Sequence, residues 1–372
     1  MKNNNVMGVV FANVHDDLIR ELTEVRSMAS IPFGGRYRMI DFPLSNLVNA
    51  GVSKVGVIPK YNYHSLMDHL GSGKPWDLDR KSGGLSILPP YVNSDIRIDT
   101  GHIDSLSTVM NYLKGAKEKY IVLCDADVVG NIDISKMLSA HFESGADITI
   151  AYKNGPLPKS NRDIMSFEMD KNGRIIKVRI PENYGVTCDF SLDVMVMERT
   201  LLTTIVKDAM EENMSHKLLD VISSKIEQLK IYGYAVKEFA WVIDGTESYA
   251  NANFALLNPK VCSELFTKER PIYTKTRDDV PTRYGLNSKV KNSLIADGCV
   301  IDGEVTNCII FRGVHIEEGA NLSNCIIMQD SIIHRAADLK YVIADKNTDI
   351  TEGRALCGAP THYMTIRKFS KV

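Results

Sequence analysis

The chain has no CxxC pair, no long apolar run and no surplus of either charge. Its seven cysteines are odd in number and scattered, which argues against a disulfide framework and for reduced thiols in a cytoplasmic protein. The apolar run nearest the N-terminus, Val6 to Phe11, is about six residues long, too short for a signal-peptide core and far too short to span a bilayer. A formal net charge of -2 supplies no global attraction to nucleic acid or to an anionic membrane. The basic residues between Lys74 and Lys81 are mixed with acids and read as a solvated surface. What remains is an ordinary globular composition. The 372 residues suffice for two domains, each with its own core.

The most informative absence is local. Val6 to Phe11 has the length and apolar character of a buried parallel strand, and a helical pattern should follow it. Where such a strand-to-helix turn cradles phosphates it carries glycines, because the backbone must approach the ligand and present its amides. Here the turn reads Asn13, Val14, His15, Asp16, Asp17. It has no glycine, and two carboxylates stand where a polyphosphate would lie.

Further along, Val55 to Ile58 reads as a second strand. In the loop from Lys60 to Gly84, the residues His64, His69 and Trp76 read as packed, hydrogen-bonded elements. A helix is expected from Gly101 through Leu113. Tyr120 to Leu138 opens as a buried strand ending in Asp125 and Asp127, at the carboxyl edge where open α/β sheets bind ligands. Asp147 to Tyr152 reads as a strand, and Asp170 to Gly173 as a hairpin turn. Leu201 to Lys207 and Lys217 to Leu229 have helical amphipathicity. Residues 258–285 form an aperiodic, proline-bearing linker between a first domain, 1–257, and a last one, 286–372. In the last domain Asn307 to Ser323 and Asn324 to Lys340 repeat with a period of about 17 residues, close to three hexapeptides, which indicates a parallel β-helix. Ile309, Ile326 and Val342 are expected to form one stacked column.

Ile31 to Asn46, IPFGGRYRMIDFPLSN, together with the Gly245, Thr246, Tyr249 and Asn253 framework and the closing repeats, resembles the glucose-1-phosphate adenylyltransferases, or ADP-glucose pyrophosphorylases. The likeness extends in particular to their D-type regulatory subunit of bacterial glycogen biosynthesis. The resemblance implies an α/β fold: a doubly wound mixed sheet of nucleotidyltransferase type, followed by a C-terminal left-handed parallel β-helix of hexapeptide repeats. It also marks the departures. On the family's AGGxGxRLxPLT loop its glycines become Asn13, Val14 and Asp16, and its arginine becomes Leu18. Downstream, Met28 and Ala29 replace a lysine and a proline. ILPPYV, Ile87 to Val92, lacks the glutamines of the adenine-contacting loop, and no lysine precedes Pro181 to clasp a sugar phosphate. Asp127 falls on the aspartate that holds Mg²⁺. The second metal aspartate becomes Ile243, with Asp244 one place along and so pointing to the opposite face. Ser191 matches a substrate-binding position, and Asp193 stands where a glycine would lie. Arg26 and Arg38 match positions that bind anionic effectors between the two domains.

Two functions from different classes follow. The first is a catalytically degraded regulatory subunit that joins a catalytic paralogue in a hetero-oligomer, a tetramer by the family resemblance, and responds to a sugar-phosphate or nucleotide effector. Two carboxylates about 4 Å from a triphosphate would each oppose it by several kcal/mol at an effective dielectric near 20. The second is an active adenylyltransferase that makes ADP-glucose and pyrophosphate from ATP and glucose-1-phosphate, with Asp127 holding Mg²⁺. Acyl transfer by the repeat domain would need a histidine base in a cleft. His315 and His334 are available, but the domain reads as a packing and oligomerisation element.

Overall fold

The computed structural model describes residues 5–12, 14–59, 62–89, 101–159, 163–212 and 214–372. Strand Val6–Phe11 is buried along its whole length and lies inside a mixed sheet that has nine strands among the described residues. Its side chains alternate between two cores, as the strand period of two requires. Val6 and Val10 join Leu44, Leu47 and Val55 on one face, while Met7, Val9 and Phe11 join Ile103, Leu106 and Ile121 on the other. Parallel neighbours flank it on both sides, Lys54–Ile58 and Tyr120–Asp125. In register, Phe11 pairs with both Ile58 and Asp125, so the turns leaving these strands emerge side by side at the carboxyl edge. The antiparallel strand Thr187–Glu198 then carries the sheet outward to Ser166–Met169 and Ile175–Arg179. These last two form the expected hairpin, with Asp170 Oδ1 accepting hydrogen bonds from the amides of Asn172 and Arg174.

The helix expected from Gly101 to Leu113 is broken at Val109 into His102–Thr108 and Met110–Lys114. The hydroxyls of Ser107 and Thr108 donate to the carbonyls of Asp104 and Ser105, competing with the helical ladder at the break. Likewise, the helix expected over 217–229 stops at Ser224, where Ser223 and Ser224 bond back to Asp220 and Val221. The helix at 201–207 is longer than its amphipathic stretch and spans Arg199–Glu211.

The stretch between the domains contains a helix, Pro259–Leu265, capped by the Asn258 side chain. From Arg283 onward the chain winds into three five-stranded parallel sheets, the left-handed β-helix expected from the repeat. Asn292, Asn307 and Asn324 turn its corners at positive φ, a conformation that asparagine tolerates. The expected column is corrected by one residue: Ile309 stacks on Ile326 and Ile326 on Ile343, while Val342 pairs with Met364. The reason is the exact 17-residue repeat, which puts Val342 in the row of Cys308 and Cys325. That row, with Ile310 and Ile327, fills the coil interior. Ile309, Ile326 and Ile343 face outward instead and share a core with Phe33, Phe42, Leu256 and Leu265 of the first domain. No helix among the described residues is long and apolar enough to cross a membrane.

Candidate functional site

Among the described residues, four side chains meet at the carboxyl edge. His15 comes from the turn after Val6–Phe11, His102 opens the helix His102–Thr108, Asp125 ends strand Tyr120–Asp125, and Asp127 follows two residues later. His102 Nε2 lies 3.0 and 2.9 Å from the two Asp125 oxygens. His15 Nε2 lies 3.4 Å from Asp125 Oδ2 and 3.8 Å from Asp127 Oδ2. Burial disfavours the Asp125 charge, yet the neighbouring His102 and His15 outweigh it and hold the carboxyl well below the usual carboxylate range. The Phe11 ring packs edge-on against His102, with centroids 4.7 Å apart. Gly101 is required just before it, because a Cβ there would sit 2.2 Å from the carbonyl oxygen of His216. That carbonyl accepts from the Ile103 amide and so fixes the start of the helix.

This arrangement corrects the expectation that Asp16 and Asp17 confront a polyphosphate. Asp16 Oδ1 accepts a hydrogen bond from the Met28 amide at 2.6 Å, tying the turn back onto its own downstream segment. The Asp17 side chain is 83% exposed, with Arg20 3.6 Å away. The turn is occupied by an imidazole rather than by carboxylates. Together with Met28, Ala29 and the two aspartates, His15 lines a cavity of about 10 Å³, the volume of one water-sized sphere. Asn13 lies outside the described residues, as do Pro90 to Val92 of the adenine-loop segment.

Asp127 is buried, and its carbonyl accepts from the amide of Ile243. Ile243 is itself completely buried, so an aliphatic side chain occupies the family's second carboxylate position. Asp244 is buried too, and its amide donates to the hydroxyl of Ser248. Ser191 lines a neighbouring cavity of about 170 Å³ together with His15, His102, Asp193 and Lys217. Asp193 adopts φ of 52°, the left-handed conformation for which the family uses glycine. It is held by its amide, which donates to Ser191 Oγ, and by its carboxylate, which accepts from that hydroxyl. Mg²⁺ takes near-octahedral oxygen ligands and keeps several waters. Two imidazoles with one carboxylate, in place of an oxygen-only set, are a poor donor set for it.

Arg26 and Arg38 lie away from this edge, where the two domains meet. Arg26 is 2% exposed, and its Nη2 donates to both oxygens of Asp345 in the β-helix, at 2.7 and 2.6 Å. Arg38 Nη1 donates to the carbonyl and the hydroxyl of Ser65. The sequence reading did not include two lysines of the β-helix that belong to this group, Lys346 and Lys368. Burial, then Arg38 and Arg26, push the Lys346 ammonium down to about 6. Lys368 is lowered by the same kinds of effect, burial first. His15 and His102 were also unassigned by sequence. The only available signal was a histidine directly after each of two residues that the family keeps as glycine or small.

Among the other histidines, His69 Nε2 lies 2.5 Å from the buried Asp41 and its ring packs edge-on against the buried Trp76, a packing role as expected. His334 is held between Glu317 and Asp349 on the flank of the β-helix.

A mixed sheet with its site at the carboxyl edge, joined to a hexapeptide-type β-helix, is the architecture of a nucleotidyltransferase-type domain followed by a repeat domain. Residues 18–253 match the nucleotidyl transferase family and residues 279–362 the GlmU-like C-terminal hexapeptide family. The chain is 35% identical over 369 residues to the glycogen biosynthesis protein GlgD of Bacillus subtilis, covering 99% of this chain and 97% of that protein. It is 36% identical to the GlgD of Geobacillus stearothermophilus, over 86% of this chain and 83% of that one. It is 32% identical to the glucose-1-phosphate adenylyltransferase of Thermosipho melanesiensis, over 85% and 77% respectively. The chain belongs to the glucose-1-phosphate adenylyltransferase family.

Proposed function

We propose that this chain is a regulatory, catalytically weakened subunit of a glucose-1-phosphate adenylyltransferase assembly in cytoplasmic glycogen biosynthesis, acting with a catalytic paralogue in a hetero-oligomer, a tetramer by family resemblance. The observation that carries the proposal is the filled turn. His15, Met28 and Ala29 leave about 10 Å³ beside Asp125 and Asp127, and the cavity on the other side of His15 holds about 170 Å³, whereas small-molecule sites run to roughly 300–1,000 Å³. A triphosphate needs backbone amides at close range, and this turn puts side chains there. The buried Ile243 in place of a metal carboxylate supports the same reading. We assign no Mg²⁺-dependent step to this chain.

Regulation is proposed to run through Arg26 and Arg38, joined by Lys346 and Lys368. Their mutual repulsion is countered by Asp345, and a sugar-phosphate or nucleotide anion would relieve it further. The remaining Arg26 Nη1 is buried without a hydrogen-bond partner among the described residues, and a guanidinium suits bidentate phosphate contact.

Pyrophosphate release from ATP and glucose-1-phosphate is the test, with the purified chain alone, the paralogue alone and the mixture. The expected result is negligible turnover by the chain alone and an altered rate or effector response in the mixture. Turnover of the chain alone at roughly 1 to 1000 per second would establish the active-enzyme reading instead.

A further inference from the structure

We propose that His15, His102 and Asp125 form a binding site for a divalent transition-metal ion of the zinc class, built where catalytic relatives cradle phosphate. One ligand atom from each residue lies within 4.8 Å of the other two. Two ligands of a tetrahedral zinc ion, each about 2.0–2.2 Å from the metal, stand roughly 3.4 Å apart. Of the separations from Asp125 Oδ2, 3.4 Å to His15 Nε2 matches that edge length and 2.9 Å to His102 Nε2 falls about half an ångström short of it. Both imidazoles thus converge on one carboxylate oxygen through the same ring nitrogen, and small side-chain adjustments would admit an ion between them.

Three features make this more than a histidine pair salt-bridged to an aspartate. The ligands come from three separate elements fixed by the sheet register, since Phe11 and Asp125 are paired neighbours. The His102 ring is held by edge-on packing against Phe11, and its helix start is fixed by the close approach of Gly101 to His216. Ligand orientation by surrounding groups of this kind raises metal affinity. Finally, His15 and His102 also border the neighbouring cavity of about 170 Å³, which leaves a position from which an exchangeable ligand can reach the ion. Imidazole nitrogen with one carboxylate is a donor set for zinc-class ions, and oxygen-only sets are what magnesium prefers. Asp127, 3.8 Å from His15 Nε2, adds negative charge at the rim.

The inference stands apart from the subunit reading, because it is tested on the isolated chain with no turnover. Full-length, tag-free protein is stripped with chelator and titrated with Zn²⁺ against a chromophoric competitor, and Co²⁺ is added in parallel to read the visible absorption of a four-coordinate site. The expected result is one equivalent of Zn²⁺ per chain. His15→Gln and His102→Gln should each weaken binding by about 100-fold or more, while His334→Gln leaves it unchanged. A large excess of Mg²⁺ should not displace the Zn²⁺. Far-ultraviolet dichroism confirms the fold of each variant. Should His102→Gln fail to fold, His15→Gln, on a partly exposed turn, carries the comparison. Absence of a stoichiometric site in the wild-type chain, wild-type affinity in the folded histidine variants, or ready displacement by Mg²⁺ would each overturn the assignment.

Discussion

Removing the negative charge of Asp345 should destabilise the protein more than removing the positive charge of Arg26, although the two form one ion pair. The pair is buried on both sides at 2% exposure and is bidentate, with contacts of 2.6 and 2.7 Å. Breaking such a pair costs about 3–5 kcal/mol, because the surviving charge is left in a poorly solvated site. The surroundings make the two halves unequal. Arg38, Lys346 and Lys368 already act electrostatically on one another and on Arg26. Asp345→Asn leaves Arg26 and the basic groups around it without their shared counter-charge, so a cost of about 3–5 kcal/mol is expected, that of a broken buried pair. Arg26→Met leaves Asp345 facing the two lysines and accepting from the Lys346 amide. A cost of roughly 1–3 kcal/mol, that of a partly unsatisfied polar group, is expected there. The assay is urea unfolding followed by tryptophan fluorescence, since Trp76 and Trp241 both lie in the first domain. With a slope of about 3 kcal/mol/M, Asp345→Asn should lower the midpoint by roughly 1–1.7 M. Inorganic phosphate should restore much of the Asp345→Asn loss by binding the uncovered cations. An Asp345→Asn midpoint no lower than that of Arg26→Met, or one insensitive to phosphate, would refute the account of this interface.

Gly101→Ala should cost about 1–3 kcal/mol by overpacking, since its new methyl would meet the His216 carbonyl oxygen 2.2 Å away; thermal melting reads the loss. Lys346, at about 6 in the folded protein against an ordinary 10.5, predicts a pH effect. Between these values the unfolded chain holds a proton that the folded one lacks, so this residue makes stability rise with pH. Its penalty is fully present below about 6, and Lys346→Met should flatten the rise when urea midpoints are compared at pH 6 and pH 9. Ile326→Ala and Ile327→Ala should each cost about 2–5 kcal/mol, with different consequences. Ile326 faces the first domain and Ile327 the coil interior, so limited proteolysis between residues 258 and 285 should accelerate only in Ile326→Ala.

The local and periodic features of this protein were determined by sequence alone. An apolar run with turn residues on either side makes a buried strand, and a 17-residue repeat makes a stacked coil, because hydrogen bonding and apolar burial along a chain impose those periods. The absence of glycine after Phe11 was equally legible, and the family resemblance marked Ile243 in place of a carboxylate. Tertiary structure decided what replaced them. Whether Asp16 faced a ligand or its own backbone depended on Met28, twelve residues on. His15, His102 and Asp125 lie far apart in the chain and meet only because the strands ending at Phe11 and Asp125 pair in register. In the same way, alternation marked Ile309 and Ile310 as apolar, but only the docked first domain distinguishes the outward side chain from the inward one. Arg26 was visible as a motif residue; its partner, 319 positions away, was not. Side-chain direction and long-range pairing follow from how the elements pack, and no local pattern carries that information.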